Sequence, residues 1–167
     1  MLNIDRLDIE LLGALSRNAR MGIMELASTL GVARNTVQAR LSRMIEEHYL
    51  AGFRPDIDLA EVGIAVQAFM ALELQQGRLQ PVVDALTSMP EVLEIHATTG
   101  REDLLVRVAT TTQAELQDLI QKVVSVQGVS HSSTTLALTT PLHYRIQPLL
   151  EHLGQQRGWG RSTPIPR

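Results

Sequence analysis

The stretch Glu25-Leu26-Ala27-Ser28-Thr29-Leu30-Gly31-Val32-Ala33-Arg34-Asn35-Thr36-Val37 decides how the N-terminal part of the chain folds. Two helices that cross tightly need a small residue at the crossing, a glycine in the turn where φ is positive, and an apolar residue that holds the second helix down. Ala27, Gly31 and Val37 supply these at relative positions 0, 4 and 10, while Leu26, Leu30 and Val32 fill the space between. The spacing predicts a helix-turn-helix. It also suits a helical hairpin with no nucleic-acid role, so the surface chemistry of the following helix has to discriminate.

At about 100° per residue, Val37, Leu41 and Met44 of that helix point inward. Asn35, Ala39, Ser42 and Arg43 then point the other way, with Arg34, Thr36, Gln38 and Arg40 flanking. No carboxylate occurs from Arg34 to Arg43. Guanidinium groups suit phosphates, and Asn and Gln suit adenine edges in a major groove. These eight residues are the candidate contacts to double-stranded DNA; a solvated helix face is the alternative. The chain has no global basic field, since 15 Lys+Arg against 18 Asp+Glu leave a net charge of −3, so any DNA contact is local.

Upstream, Leu7, Leu11, Leu12 and Leu15 share one face of a helix whose start carries Asp5 and Asp8, an N-cap and a first-turn acid. A second helix runs from Ile23 to Leu30 and breaks at Gly31. The third lies between Ala33 and Glu47 and places Val37, Leu41, Met44 and Ile45 on one stripe. After Gly52, Phe53-Arg54-Pro55-Asp56-Ile57-Asp58 reads as a short extended or wing segment, with Pro55 excluding a central strand.

Beyond residue 60 the period changes to two. Ile64, Val66, Ala68, Met70, Leu72 and Leu74 share one face of a strand, and Ala65, Gln67, Phe69, Ala71 and Glu73 the other. A helix through Leu79, Val82, Val83 and Leu86, opened near Pro81 and stopped by Pro90, leads to strands Val92–Thr99 and Leu104–Ala109. Leu116, Leu119, Ile120, Val123 and Val124 mark a further helix halted by Gly128, and a final strand runs from Val129 to Leu138. The order βαββαβ, with its weak internal repeat, predicts an α+β, ferredoxin-like sheet with helices on one face. The other face, around Phe69, wants a partner.

The expected division is a helix-turn-helix domain with wing or linker over 1–60, a ferredoxin-like ligand-binding and oligomerisation domain over 61–140, and a C-terminal segment over 141–167. In that segment Leu142, Ile146, Leu149 and Leu150 suit a short docked helix, whereas 155–167 have a flexible composition.

The absence of cysteine excludes disulfides, thiol nucleophiles and cysteine metal sites. The five histidines make no ligand-spaced set with carboxylates, and neither a Ser-His-Asp arrangement nor a phosphate loop is present. No metal, cofactor or catalysis is expected. The most apolar stretch, Gly63 to Leu74, is interrupted by Gln67 and Glu73 and falls short of the roughly 20 residues that span a bilayer. Met1 to Asp8 lacks the layout of a secretory signal. A soluble cytoplasmic protein is the expectation.

Over about residues 4 to 138 the chain resembles the Lrp/AsnC family of transcription regulators. The resemblance rests on Asp5-Arg-Leu-Asp8-Ile-Glu-Leu-Leu12, Glu25-Leu-Ala27, Leu30-Gly-Val32, Thr36-Val-Gln-Ala-Arg40-Leu41 and Gly52-Phe53 in the first half. In the second half it rests on Pro90-Glu-Val92, Thr99-Gly100-Arg-Glu-Asp103-Leu-Leu105 and Gly128-Val129. It implies a winged-type helix-turn-helix joined to a regulatory domain, dimers built through that domain's sheet, higher assemblies such as octamers, and tuning by an amino acid. Three departures stand out: Gly22 and Ala33 where the family has capping Ser or Thr, and His48 where it has the glycine that ends the recognition helix. The loop with Thr98, Thr99, Gly100 and Asp103 resembles the family's effector segment. There a glycine admits a ligand to the backbone, and hydroxyls with a carboxylate suit an ammonium. A plain hairpin turn, with Asp103 capping backbone amides, is the alternative. The expected function is sequence-specific transcriptional regulation by an oligomer that senses a small metabolite. A stand-alone metabolite-binding protein or a ferredoxin-like enzyme with a helical appendage is the rival.

Overall fold

The computed structural model describes residues 4–155 and 158. They form two compact units, one made of residues 4–55 and 143–155, the other of Asp56–Leu142.

The first unit is helical. Helix α1 (Arg6–Arg17) opens with a capping box: the Asp5 carboxylate accepts the Asp8 N–H, and the Asp8 carboxylate accepts the Asp5 N–H, both at 3.1 Å. Helices α2 (Ile23–Leu30) and α3 (Arg34–Glu46) begin at Gly22 and Ala33 without a side-chain cap, as those residue types require. Between them Gly31 adopts φ 66°, and its N–H reaches the carbonyls of Ala27 and Ser28. The turn needs that left-handed conformation, which a Cβ penalises. Leu7, Leu11, Ala14 and Leu15 then pack with Leu26, Ala27, Leu30, Val37 and Met44 in one core. Ile45, grouped with that stripe by helical spacing, is 48% exposed instead.

Helix α6 (Gln147–Gly154) belongs to this unit and lies against α1. Gln147 Nε2 donates to the Ile9 carbonyl at 3.2 Å, and Gly154 meets the Ile9 side chain at a distance that leaves no room for a Cβ. A short helix does form in this segment, but Gln147 and Gly154 hold it: Leu142, Ile146 and Leu149 are exposed and Leu150 is half-buried, while 156, 157 and 159–167 lie outside the described residues. Residues 51–58 are exposed, belong to no helix or strand, and pair with no strand among the described residues. A wing needs a hairpin, and this stretch is one run without a turn to fold it back, with Pro55 lacking a donor.

The second unit is a four-stranded antiparallel sheet in the order β2-β3-β1-β4, built from β1 (Val66–Leu74), β2 (Val92–Ala97), β3 (Leu104–Thr110) and β4 (Val129–Leu136). Helices α4 (Leu79–Thr87) and α5 (Gln113–Val124) cover one face, giving the βαββαβ order. Alternation puts Ala68, Met70 and Leu72 of β1 beside Leu104, Val106 and Val108 of β3, and all six are buried under Val82, Leu86, Leu116, Leu119 and Val123 of the helices. β1 starts at Val66, two residues later than its apolar alternation suggests, because Asp58 caps a turn ahead of it. On the other face Phe69 sits between Arg107 and Thr135, and Ala71 between Leu105 and Ser133. Thr112 caps α5 by accepting the Glu115 N–H, and Thr111 hydrogen-bonds the Glu115 carboxylate through its hydroxyl and its N–H, which lowers that pKa below 4.5.

Candidate nucleic-acid interface

The outer surface of α3 follows from how its core residues are seated. Val37 and Met44 are wholly buried, so the far side of the helix is turned to solvent. Arg34, Asn35, Gln38 and Ala39 are exposed there, whereas Thr36, Arg40, Ser42 and Arg43 are partly covered. The eight candidates therefore divide into a free group at the start of the helix and a group that leans on the fold.

The covered arginines lean on α1. Arg40 Nη1 lies 2.5 Å from Asp5 Oδ2 and 3.1 Å from Asp8 Oδ1, and Arg43 Nη2 donates to Asp8 Oδ2. The Asp8 side chain is 0% exposed, against 15% for Arg40 and 38% for Arg43. A carboxylate so placed is costly unless paired and hydrogen-bonded, and here it accepts from two guanidinium groups and the Asp5 N–H. Burial works against the charge on Arg40, but the hydrogen bond to Asp5 and the charges of both aspartates outweigh it and raise its pKa above the usual arginine value. Arg43 is held from one end only, since its buried Nε has no acceptor among the described residues.

Sequence reasoning placed Asp5 and Asp8 at the helix start but missed their partners. The signal was present in the position of Asp8, directly beside Leu7 on the apolar side of α1, where a charge must find a counter-charge.

At its C-terminal end α3 stops at Glu46, and His48 takes φ 59°, the left-handed conformation for which glycine is the usual residue. The Leu50 N–H then returns to the Met44 carbonyl at 2.9 Å.

The loop between β2 and β3 gathers Thr98, Thr99, Gly100 and Asp103 into one exposed turn. Asp103 donates its N–H to the Leu72 carbonyl at 2.8 Å, accepts the Thr98 N–H on its own carbonyl at 2.9 Å, and accepts the Leu74 N–H on Oδ2 at 2.7 Å. The Thr98 hydroxyl donates to the Glu102 carbonyl, and Arg101 Nε donates to Glu73 at 2.7 Å. Gly100 has φ 132° with open space where a Cβ would stand. Much of the polar chemistry expected to face a ligand thus also closes the turn.

Among the described residues no group of histidines and carboxylates could hold a metal ion, and no helix is long and apolar enough to cross a membrane.

A positive-φ glycine between two short helices, an exposed start free of acids on the second of them, and a separate βαββαβ unit define a helix-turn-helix protein carrying a regulatory-type domain. Comparison with known proteins agrees with this division. Residues 4–45 match the AsnC-type helix-turn-helix domain, and residues 67–146 match the Lrp/AsnC ligand binding domain. The regulatory protein AsnC of Escherichia coli (strain K12) is 31% identical over 147 residues, 87% of this chain and 97% of that protein. AsnC of Haemophilus influenzae is 29% identical over 89% of this chain and its own full length. The solved structure of Escherichia coli AsnC superimposes with a TM-score of 0.82 at 30% identity, covering 88% of this chain and 100% of that one. A Neisseria meningitidis transcriptional regulator solved as a complex with L-Met shares the fold, with a TM-score of 0.83 at 22% identity over 90% of this chain and 99% of that one. The chain belongs to the Lrp/AsnC family and is a transcriptional regulator of that type.

Proposed function

We propose that the chain binds double-stranded DNA as a homo-oligomer through the exposed start of α3, works in the cytoplasm, and adjusts its affinity when an amino acid occupies the Thr98–Asp103 loop, without catalysing a reaction. The observation that carries this reading is the exposed set Arg34, Asn35, Gln38 and Ala39, presented directly after the Gly31 turn. Arg34 suits a phosphate, Asn35 and Gln38 suit base edges, and Ala39 suits a thymine methyl. Thr36 and Ser42 add hydroxyls at its margins, and Arg40 and Arg43 form its flank next to α1.

One copy with a net charge of −3 has little electrostatic affinity for DNA, so two copies, with recognition helices about 34–36 Å apart, suit half-sites one helical turn apart. The half-exposed apolar face around Phe69 is the surface such a dimer would cover, and dimers assembling to an octamer are the larger form the family resemblance implies. For the effector, the exposed Thr99 and Gly100 backbone and the second carboxylate oxygen of Asp103 offer donors and acceptors to an amino acid's two charged groups. The Neisseria relative in complex with L-Met supports that ligand class. Such a ligand acts only by favouring one arrangement of subunits over another.

The test is electrophoretic binding to the DNA upstream of the chain's own gene, with light scattering on the same sample and each common amino acid added in turn. A sequence-selective shift by an oligomer that one amino acid changes roughly 5- to 150-fold is the expected result. Equal binding to all DNA, or a monomer at micromolar concentration, would overturn it.

A further inference from the structure

The acid-free run of α3 carries three arginines, yet the structure leaves only Arg34 turned freely to solvent. Arg40 and Arg43 are drawn sideways onto two carboxylates that another helix supplies. A buried ion pair is a weak means of stabilising a fold, because an apolar replacement of similar shape is often as good or better. Spending Asp5 and Asp8 on these two cations does, however, have a direct consequence for DNA. A guanidinium that neutralises a phosphate adds affinity for every sequence alike, whereas Asn35 and Gln38 add affinity only where the bases match.

We infer that Asp8, assisted by Asp5, is a specificity-determining residue of the DNA interface: it withholds Arg43 and Arg40 from the phosphate backbone, so that sequence-independent attraction stays low and base contacts decide where the protein binds. Arg43 is the group most readily released. It is more than a third exposed, it borders Ala39 on the helix surface, and among the described residues it is bound through Nη2 alone while its Nε has no acceptor. Arg40 is held more firmly, by oxygens of both aspartates. Neither aspartate touches DNA in this scheme; each acts through an arginine. The inference rests on the proposed DNA-binding role of α3.

The test compares the parent protein with Asp8→Asn, which keeps the shape of the side chain and removes its charge, and with the double variant Asp8→Asn/Arg43→Gln. Circular dichroism and thermal melting establish that each is folded. Asp5→Asn is the second route if Asp8→Asn does not fold, because Asn caps a helix as well as Asp does and Asp5 is partly exposed. Binding is measured on the selected duplex and on a mixed-sequence duplex over a range of salt concentrations, and elution from immobilised heparin serves as a DNA-independent polyanion.

Asp8→Asn should bind the mixed-sequence duplex more tightly, elute later from heparin, and steepen the salt dependence by about 0.9 for each arginine released per copy. The ratio of selected to mixed-sequence affinity should fall, and Arg43→Gln in the same background should restore much of it. With Asp5→Asn the same changes should appear in smaller measure. A folded variant whose heparin elution, salt slope and affinity ratio match the parent would overturn the inference and leave the network as a structural brace. If the parent itself shows no DNA binding, the reading of α3 fails instead, and heparin elution still decides whether the aspartates withhold the two cations.

Discussion

The carboxylate of Asp103 accepts the backbone N–H of Leu74 at 2.7 Å, so the loop that joins β2 to β3 is pinned to the end of β1. The same residue's N–H holds the Leu72 carbonyl. Asp103 is therefore part of the loop's architecture before any ligand arrives. Asp103→Ala should lose the Leu74 bond and destabilise the second unit by about 1 kcal/mol, read by urea unfolding. It should also abolish the amino-acid response in calorimetry while leaving effector-free DNA binding largely intact. A variant that unfolds earlier yet binds the amino acid as the parent does would confine Asp103 to the turn.

Arg34 is the free cation of the acid-free run on α3, exposed at the first turn. Arg34→Ala should weaken binding to every DNA sequence by a similar factor and lower the salt slope by about 0.9 per copy. Gln38→Ala should behave differently, costing about 1–3 kcal/mol at the matched base pair and little elsewhere, because it removes base readout. Salt titrations on matched and mismatched duplexes separate the two. Equal salt slopes for the parent and Arg34→Ala would remove Arg34 from the backbone contacts.

His48 ends the recognition helix at φ 59°, in a conformation that costs a residue with a Cβ roughly 1–2 kcal/mol. His48→Gly relieves that strain and gives back about 0.5–1 kcal/mol through the greater freedom of the unfolded chain, for a net gain of up to about 1.5 kcal/mol. Denaturant unfolding of the helical unit measures it. A loss of stability would mean that the imidazole makes a compensating contact.

The parts of this molecule that are legible in the sequence are those whose cause is local. Ala27, Gly31 and Val37 are fixed by a tight helix crossing, and the alternation from Val66 to Leu74 is set by one pleated strand, so both can be seen within a dozen residues. The partners of Asp8 are not visible in this way, since Arg40 and Arg43 lie 32 and 35 residues away. A helical wheel gives α3 one inward direction, but α3 has two neighbours: its apolar residues meet the common core, and its arginine flank meets α1. Ile45, on the same stripe by spacing, falls outside the core. The anchoring of α6 on Ile9 spans 138 residues and is invisible to any short-range pattern. At Asp103 the residue and its turn are legible, but not the register that puts Leu74 within reach.

Phe69 lies at the middle of the central strand β1 on the face without helices and is 40% exposed, with Leu105 beside it at 36%. Around them stand Glu73, Glu94, His96 and His131, so the patch has an apolar middle and a polar edge, the layout of a protein interface. Phe69→Lys leaves the core face of β1 untouched, since Ala68 and Met70 point the other way, and it places a second cation directly opposite Arg107. The sheet should survive with a small loss, while association through this face should weaken by about 2 kcal/mol or more, roughly 30-fold in dissociation constant. Light scattering or sedimentation should then show smaller particles at micromolar concentration, and binding to a two-half-site duplex should fall more than binding to a single half-site, because the second recognition helix is no longer tethered. If the mass of the particle and the preference for two half-sites are both unchanged, the protein associates through another surface.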